Sequence, residues 1–392
     1  MKSYYFYFDE SFHSRTITEG AFNDSNFFNS YVSTGIGFEK KNQHNILNDY
    51  KEFDNKYSLF YTVDELKSEI VKQKNYERGL ASFNKDSVRL YTDFFELLYR
   101  NDVLYYISSI DKLEYLLSEC KYTVPPFINV SAMIYSITKI VNVYKPKKVI
   151  DDIMNKSNSL LDDLKDFFSN QLKINGELKL KELENIAMNN IMIFLNGIDV
   201  SSINYEFDYS FTYHGLNKLL NELKISNVSL IIDKEGSNKI VGCAKKEGFL
   251  DSRQMDSKNS LGVRTSDMFC GFISRMMRAI YNSLYFDSGV PYNKRRLIPI
   301  GWFDIRENNF HLYKTVAKYI KKQANIYYCT FMSLYSDLFS VFIGILYYFD
   351  EFETYEDYKN VSVDVHFDEC NNFVVSRINH DIKRIENNYM LF

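Results

Sequence analysis

The chain has 392 residues and a net charge of −4 at pH 7, with 47 Lys plus Arg against 51 Asp plus Glu. That balance excludes a global cationic field, so any nucleic-acid contact has to be local. Thirty-two Tyr and 32 Phe beside only five Pro exclude a chain of disordered linkers and predict a well-packed globular protein of two or three domains.

Five scattered cysteines, Cys120, Cys243, Cys270, Cys329 and Cys370, form no CxxC pair. They fit reduced structural thiols better than a disulfide framework or a zinc site. No charged, apolar and small-residue leader opens the chain, and the longest apolar run, Leu338–Phe349, is too short to span a bilayer. The expectation is a cytoplasmic protein with no membrane contact.

Tyr4–Ser11 (YYFYFDES) reads as a buried strand that delivers Asp9 and Glu10 to its C-terminal end. Adjacent acids at the edge of an apolar layer are costly unless a cation offsets them; the bland alternative is a turn opened by Asp9 and Ser11. Tyr31–Phe38 and Tyr57–Val63 read as second and third strands, an antiparallel meander start. Ser87–Tyr99 has the spacing of an amphipathic helix. Val103–Ile110 reads as a strand that again ends on an acid, Asp111, followed by Lys112 and a helix.

Beyond Pro125 and Pro126, residues 127–196 read as helical almost throughout, with a turn at Asn175 and Gly176. The acids Asp151, Asp152, Asp162, Asp163 and Asp166 there fit a solvated helix face. His214 precedes a helix over Gly215–Leu223 and reads as a cap or surface residue. VSLIID places Asp233 at the end of another apolar strand, Val228–Ile232, and Leu261–Arg275 reads as a helix with Asp267 among apolar neighbours, unusual unless something neutralises it. Helices over Asn309–Gln323 and Leu334–Phe349 and a strand around Val361–Phe367 complete the expected elements.

If the acid-ending strands lie parallel, their C-terminal ends share one sheet edge. Three or four carboxylates there predict Mg2+ or Mn2+ at two neighbouring positions, the arrangement that serves phosphodiester displacement. Hard oxygen ligands and the lack of a Cys/His cluster argue against zinc. Taken singly, Asp111 and Asp233 fit turn or cap residues.

The segments YFDES at Asp9, SIDK at Asp111, LIIDKEGS at Asp233 and DSKNSLGVRTSDMFCG over Asp256–Gly271 resemble, in order, signatures of the domain of unknown function 3800 family, whose members resemble ribonuclease H-like proteins. The resemblance covers residues 1–120 and 225–280, with 256–271 its most specific part. It implies an α/β fold with a mixed five-stranded sheet, three antiparallel strands then two parallel ones, flanked by helices. It also implies a metal-dependent nuclease, an effector in bacterial anti-phage defence.

Carried over by position, the resemblance makes Asp9, Asp233 and Asp267 metal ligands, with Asp111 next, Glu65 as a further carboxylate and Glu10 as a ligand or holder of a metal-bound water. Lys258 and Lys112 would suit contact with phosphate or charge balance at the acid cluster. Arg264 and Ser266 stand where the family usually has Gln and Ala, which implies different local packing.

His13 lies close enough in sequence to Asp9 to shuttle a proton. Arg275, Arg278, Lys294, Arg295 and Arg296 could grip a nucleic-acid backbone or form a solvated face. Tyr281, Tyr285, Phe286 and Tyr292 could stack on bases or be core. The expected organisation is a discontinuous catalytic core (1–120 and 225–280), a helical insertion (121–224) and a mainly helical C-terminal extension (281–392). The insertion and extension would choose the substrate, DNA or RNA, or a protein or self-association partner. The competing expectations are a non-catalytic nucleic-acid- or protein-binding subunit of a defence complex and a hydrolase of small phosphates.

Overall fold

The computed structural model describes residues 2–11, 30–176, 181–199, 208–234, 239–286, 296–333 and 335–389. A six-stranded sheet lies at the centre: β1 (Ser3–Ser11), β2 (Ser30–Glu39), β3 (Leu104–Asp111), β4 (Asn227–Asp233), β5 (Ser252–Met255) and β6 (Thr330–Met332). The spatial order is β6-β3-β2-β1-β4-β5. Only β2 runs against its neighbours; β1, β3, β4, β5 and β6 are mutually parallel. The C-terminal ends of β1, β3 and β4, each bearing an acid, therefore share one edge of the sheet.

Helices cover both faces, so the central strands read as nearly unbroken apolar runs. The face carrying Tyr7 and Asp9 is covered by α1 (Gln43–Tyr61) and α10 (Leu261–Ser283), with α2 (Lys85–Arg100) behind them. Gln43 of α1 donates to the Tyr7 hydroxyl at 3.2 Å. The opposite face, carrying Phe8 and Glu10, packs on α8 (Ser210–Glu222). There the Phe8 and Tyr213 rings lie 5.2 Å apart, and the Ser33 and Thr212 hydroxyls are 2.9 Å apart.

Between β3 and α8 the chain builds a separate apolar core, from Leu113 on α3 (Lys112–Ser118) through α4 (Val130–Tyr144), α5 (Lys147–Asn155), α6 (Leu160–Asn175) and α7 (Glu182–Asn196) to Ile198. The helix α8 belongs instead to the main core, through Tyr213, Leu216 and Leu219. A short α9 (Lys239–Lys246) links β4 to β5. The C-terminal part forms α11 (Glu307–Lys321), α12 (Asp337–Asp350), α13 (Tyr355–Lys359) and α14 (Val363–Tyr389). It packs α11 on α2 and α12 on α10, stacks Tyr313 on Phe349 at 4.0 Å, and so shares the main core.

Two expected strands are helices. Tyr57–Val63 is mostly the last turns of α1, where Ile46, Tyr50, Phe53 and Tyr57 are buried at helical spacing, and Thr62 ends the helix with φ of 57°. The third strand of the central sheet in chain order is thus β3, paired antiparallel with β2. Val361–Phe367 alternates like a strand but opens α14. His366, Cys370 and Val374, spaced four apart, are among its buried positions, and the His366 ring stacks on Tyr358 at 3.8 Å. The expected five-stranded sheet has six strands because the extension contributes β6 beside β3. All five cysteines are free. Among the described residues no helix is long and apolar enough to cross a membrane.

Candidate functional site

Register places the first two acids side by side. Phe8 on β1 pairs with Ile232 on β4 in the parallel ladder, so Asp9 and Asp233 are the next residues in line. Paired positions point to the same face, about 4.8 Å apart between strands. Asp9 is buried and Asp233 half-buried.

The third acid arrives on α10. Ser260 caps that helix, accepting from the Val263 amide at 3.3 Å. Gly262 lets it press onto β1, since a Cβ there would lie 2.2 Å from the Tyr7 ring. The Ser266 hydroxyl donates to the Tyr7 carbonyl at 3.0 Å, fixing the helix two residues short of Asp9 in the strand. Asp267 follows directly. Burial pushes the Asp9 carboxyl well above the usual carboxylate range, and the neighbouring charges of Asp267 and then Asp233 raise it further. Asp233 is raised by burial, more than its own link to the Lys234 amide lowers it, and by Asp267.

Asp267 is held from above. The Ser68 amide donates to its Oδ2 at 2.7 Å and the Ser68 hydroxyl to its Oδ1 at 3.0 Å. Burial raises the Asp267 carboxyl, while these two bonds and the charges of Arg275 and Lys67 pull it down. Gly271, one turn along α10, leaves room for the clamp: a Cβ there would meet Ser68 at 2.2 Å and Arg275 Nη1 at 2.4 Å. The segment that carries Ser68 also carries Glu65 and Lys67, whose charged groups stand 3.7 Å apart. Glu65 Oε1 is buried without a hydrogen-bond partner. Arg264 pairs with Asp54 of α1 at 2.7 Å, both side chains largely buried. Arg264 and Ser266 thus bolt α10 to α1 and to β1.

Other expected residues lie elsewhere. Asp111 sits four residues beyond Ile107, which is level with Thr34 and so with Asp9. That puts it about 13 Å further along the strand direction and about 10 Å across two strand spacings. Its carboxylate caps α3, accepting from the Leu113 and Glu114 amides at 2.9 and 3.0 Å, and accepts from Asn142 of α4 at 3.2 Å. Lys112 is buried beside it, and burial pushes its pKa down to about 8 against the pull of Asp111. Glu10 points to the opposite face from Asp9 by strand alternation and accepts from the Tyr31 hydroxyl.

Lys258 is exposed two residues after Asp256. Arg275 lines a cavity against the Ser68 segment, and Arg278 is half-buried further along α10. His214 stands on α8 beside Glu247 at 3.3 Å. His13, Tyr292, Lys294 and Arg295 lie outside the described residues.

Sequence reasoning assigned no role to Ser68, Asp54 or Asp256. Asp256, whose charge raises Asp233, was visible within the DSK motif. Ser68 and Asp54 gave no signal, because their roles arise from packing against a helix some 200 residues away.

The donors brought together are carboxylate oxygens, the set that Mg2+ and Mn2+ take, and each carboxylate offers about four lone-pair sites. Both oxygens of Asp267 are engaged by Ser68. Among the described residues no group of three or more His, Cys, Asp and Glu side chains stands close enough to hold a metal ion as placed. The donor chemistry therefore fits a divalent cation, and the positions would have to draw in around it. No family model, curated protein or solved structure matches the chain.

Proposed function

We propose that the protein is a Mg2+- or Mn2+-dependent nuclease that hydrolyses phosphodiester bonds of DNA or RNA, with a ribonuclease H-like core. The observation that carries this reading is the convergence of Asp9, Asp233 and Asp267, from two parallel strand ends and one helix, close enough that Asp267 raises the carboxyl groups of both strand acids and Asp233 that of Asp9. A sheet in which only the second strand in chain order runs antiparallel supports the fold. Natural chains hold such repelling acids at a sheet edge mainly where a cation or a proton uses them.

In this reading Asp9, Asp233 and Asp267 hold the cation, and Glu65, with its unpartnered oxygen, stands behind them. Bound there, the ion would lower the pKa of an attacking water and neutralise charge on the phosphodiester. The chain's own part is positional. Ser68 orients Asp267, the charges of Lys67 and Arg275 work against the rise that burial gives its carboxyl, and the apolar layer under Asp9 excludes bulk water.

The test is incubation of purified protein with labelled single- and double-stranded DNA and RNA plus Mn2+, beside Asp9→Asn and Asp233→Asn. Cleavage by the wild type and a loss of about a hundredfold or more in each variant is expected for a ligand of a catalytic cation. Equal inactivity of all three proteins, with no divalent-cation binding, would leave a non-catalytic binding role.

A further inference from the structure

A cavity of about 610 Å³ opens between the C-terminal end of α1, the segment around Ser68 and α10, and is lined in part by Tyr61, Glu65, Lys67, Glu69, Lys72 and Arg275. Its volume is within the range of small-molecule sites, about 300–1,000 Å³. Two of its three cations act on the acids: Lys67 on both Asp233 and Asp267, Arg275 on Asp267. The cavity is thus the immediate neighbour of the acidic cluster.

Arg275 is built into its wall. The Gln73 amide donates to its carbonyl at 3.1 Å, tying the Ser68 segment to α10, while its Nη1 is buried from solvent with no hydrogen-bond partner. That Nη1 lies against Gly271, so the guanidinium is anchored in the wall as a fixed positive charge beside the cavity, and a phosphate presents the oxygens that match it. Two ammonium groups stand beside it. Lys67 is held only loosely by Glu65, at 3.7 Å, and Lys72 is exposed at the rim. Glu65 and Glu69 oppose them, so the lining carries three cations against two carboxylates, a surplus of one positive charge that a bridging phosphodiester would neutralise and a terminal monoester would exceed. Tyr61 gives the wall an aromatic ring, the surface on which a base can stack.

We propose that this cavity is a nucleotide subsite, in which Arg275, Lys67 and Lys72 hold a phosphate and Tyr61 faces the base. As the place of a nucleotide unit beside the cleaved bond it rests on the nuclease reading, but its binding chemistry does not. The phosphate is either the terminal monoester of a strand or a bridging diester, and the two differ by one charge.

Binding of adenosine 5′-monophosphate, adenosine and inorganic phosphate is measured calorimetrically in 5 mM Mg2+ and again in chelator, for wild type, Arg275→Gln, Lys72→Gln and Asp233→Asn, with a melting curve for each. Wild type should prefer the monophosphate to adenosine. Arg275→Gln should weaken the monophosphate about tenfold or more, as loss of a charge-assisted pair does, and Lys72→Gln by a few-fold. Lys72 is exposed, so its variant guards against misfolding of Arg275→Gln.

Asp233→Asn should retain the binding in chelator, which separates this subsite from the catalytic reading: phosphate binding without cleavage leaves the subsite standing and sinks the nuclease. Equal affinity for adenosine and its monophosphate, or monophosphate affinity unchanged in both cationic variants, would overturn the subsite. A 5′-phosphorylated oligonucleotide binding more tightly than its 5′-hydroxyl twin assigns the terminal monoester; equal binding assigns the diester.

Discussion

Asp9→Asn should make the metal-free protein more stable, and the size and pH dependence of the gain follow from the site. Asp9 is buried one residue beyond the Phe8–Ile232 pair, next in line with Asp233, and its carboxyl is raised by burial first, then by Asp267 and Asp233. Two like charges about 5 Å apart repel by about 3 kcal/mol at an effective dielectric of about 20. The carboxamide removes that repulsion and keeps one oxygen for the Glu10 amide, which holds the native carboxylate. Because the folded carboxyl titrates above its unfolded value, the folded state holds the extra proton, and wild-type stability falls as pH rises from about 4 through the folded value. Below pH 4 both states are protonated and the two proteins should melt together.

At pH 7.5 in chelator the variant should lead by about 1–3 kcal/mol, or about 1–4 °C in melting temperature for a chain of this length. Divalent cation should reverse the order, since at a hundredfold excess over its dissociation constant a ligand adds about 2.7 kcal/mol to a protein that binds it. Differential scanning fluorimetry from pH 4 to 8, with and without Mn2+, reads both effects. A variant no more stable than wild type in chelator at pH 7.5, or a gap that does not change with pH, would refute the electrostatic account. A gap unaffected by Mn2+ would refute the cation site.

Asp111→Ala should cost about 0.5–2 kcal/mol as a lost helix cap yet leave Mn2+ stabilisation intact, which denaturant melts with and without Mn2+ would check. Arg264→Met should destabilise by about 3–5 kcal/mol by stranding Asp54 in the interior, and Asp54→Leu added to it should recover most of that loss in urea unfolding. Gly262→Ala, whose Cβ would stand 2.2 Å from the Tyr7 ring, should cost about 1–3 kcal/mol as overpacking despite the better helix propensity of Ala; a stabilised variant would show that α10 can back away from β1.

Strands bearing the strongest signal were legible because they are central. β1, β2, β3 and β4 are apolar over most of their length, and burial on both faces demands that. Where the sequence misled, two patterns competed over the same residues. Tyr57–Val63 is rich in β-formers, but Tyr57 completes a buried stripe that starts at Ile46, and the stripe won because α1 packs on α2, with Phe53 5.7 Å from Phe94 and the Tyr57 hydroxyl donating to Asp93 at 2.7 Å. Val361–Phe367 alternates in polarity, but only His366 of that stretch is buried, so there was no second apolar position to hold a strand. The short β5 and β6 carry few apolar residues and exist because a neighbouring strand offers an open edge, which no local pattern announces.

The acids divide by the same logic. Asp9, Asp111 and Asp233 look alike in sequence: each ends an apolar strand. What separates them is how far each strand runs past the level at which the sheet meets α10, and whether local donors claim the carboxylate. Asp111 overshoots by four residues and lands on two free amides at the start of α3, so its charge is met by the chain itself. Asp9 and Asp233 stop level with each other under Asp267, where their neighbours are other acids. A helix cap lowers the energy of a carboxylate and an acid neighbour raises it. The first arrangement therefore contributes stability and the second costs it, which is why a role beyond folding is sought at Asp9, Asp233 and Asp267 and not at Asp111.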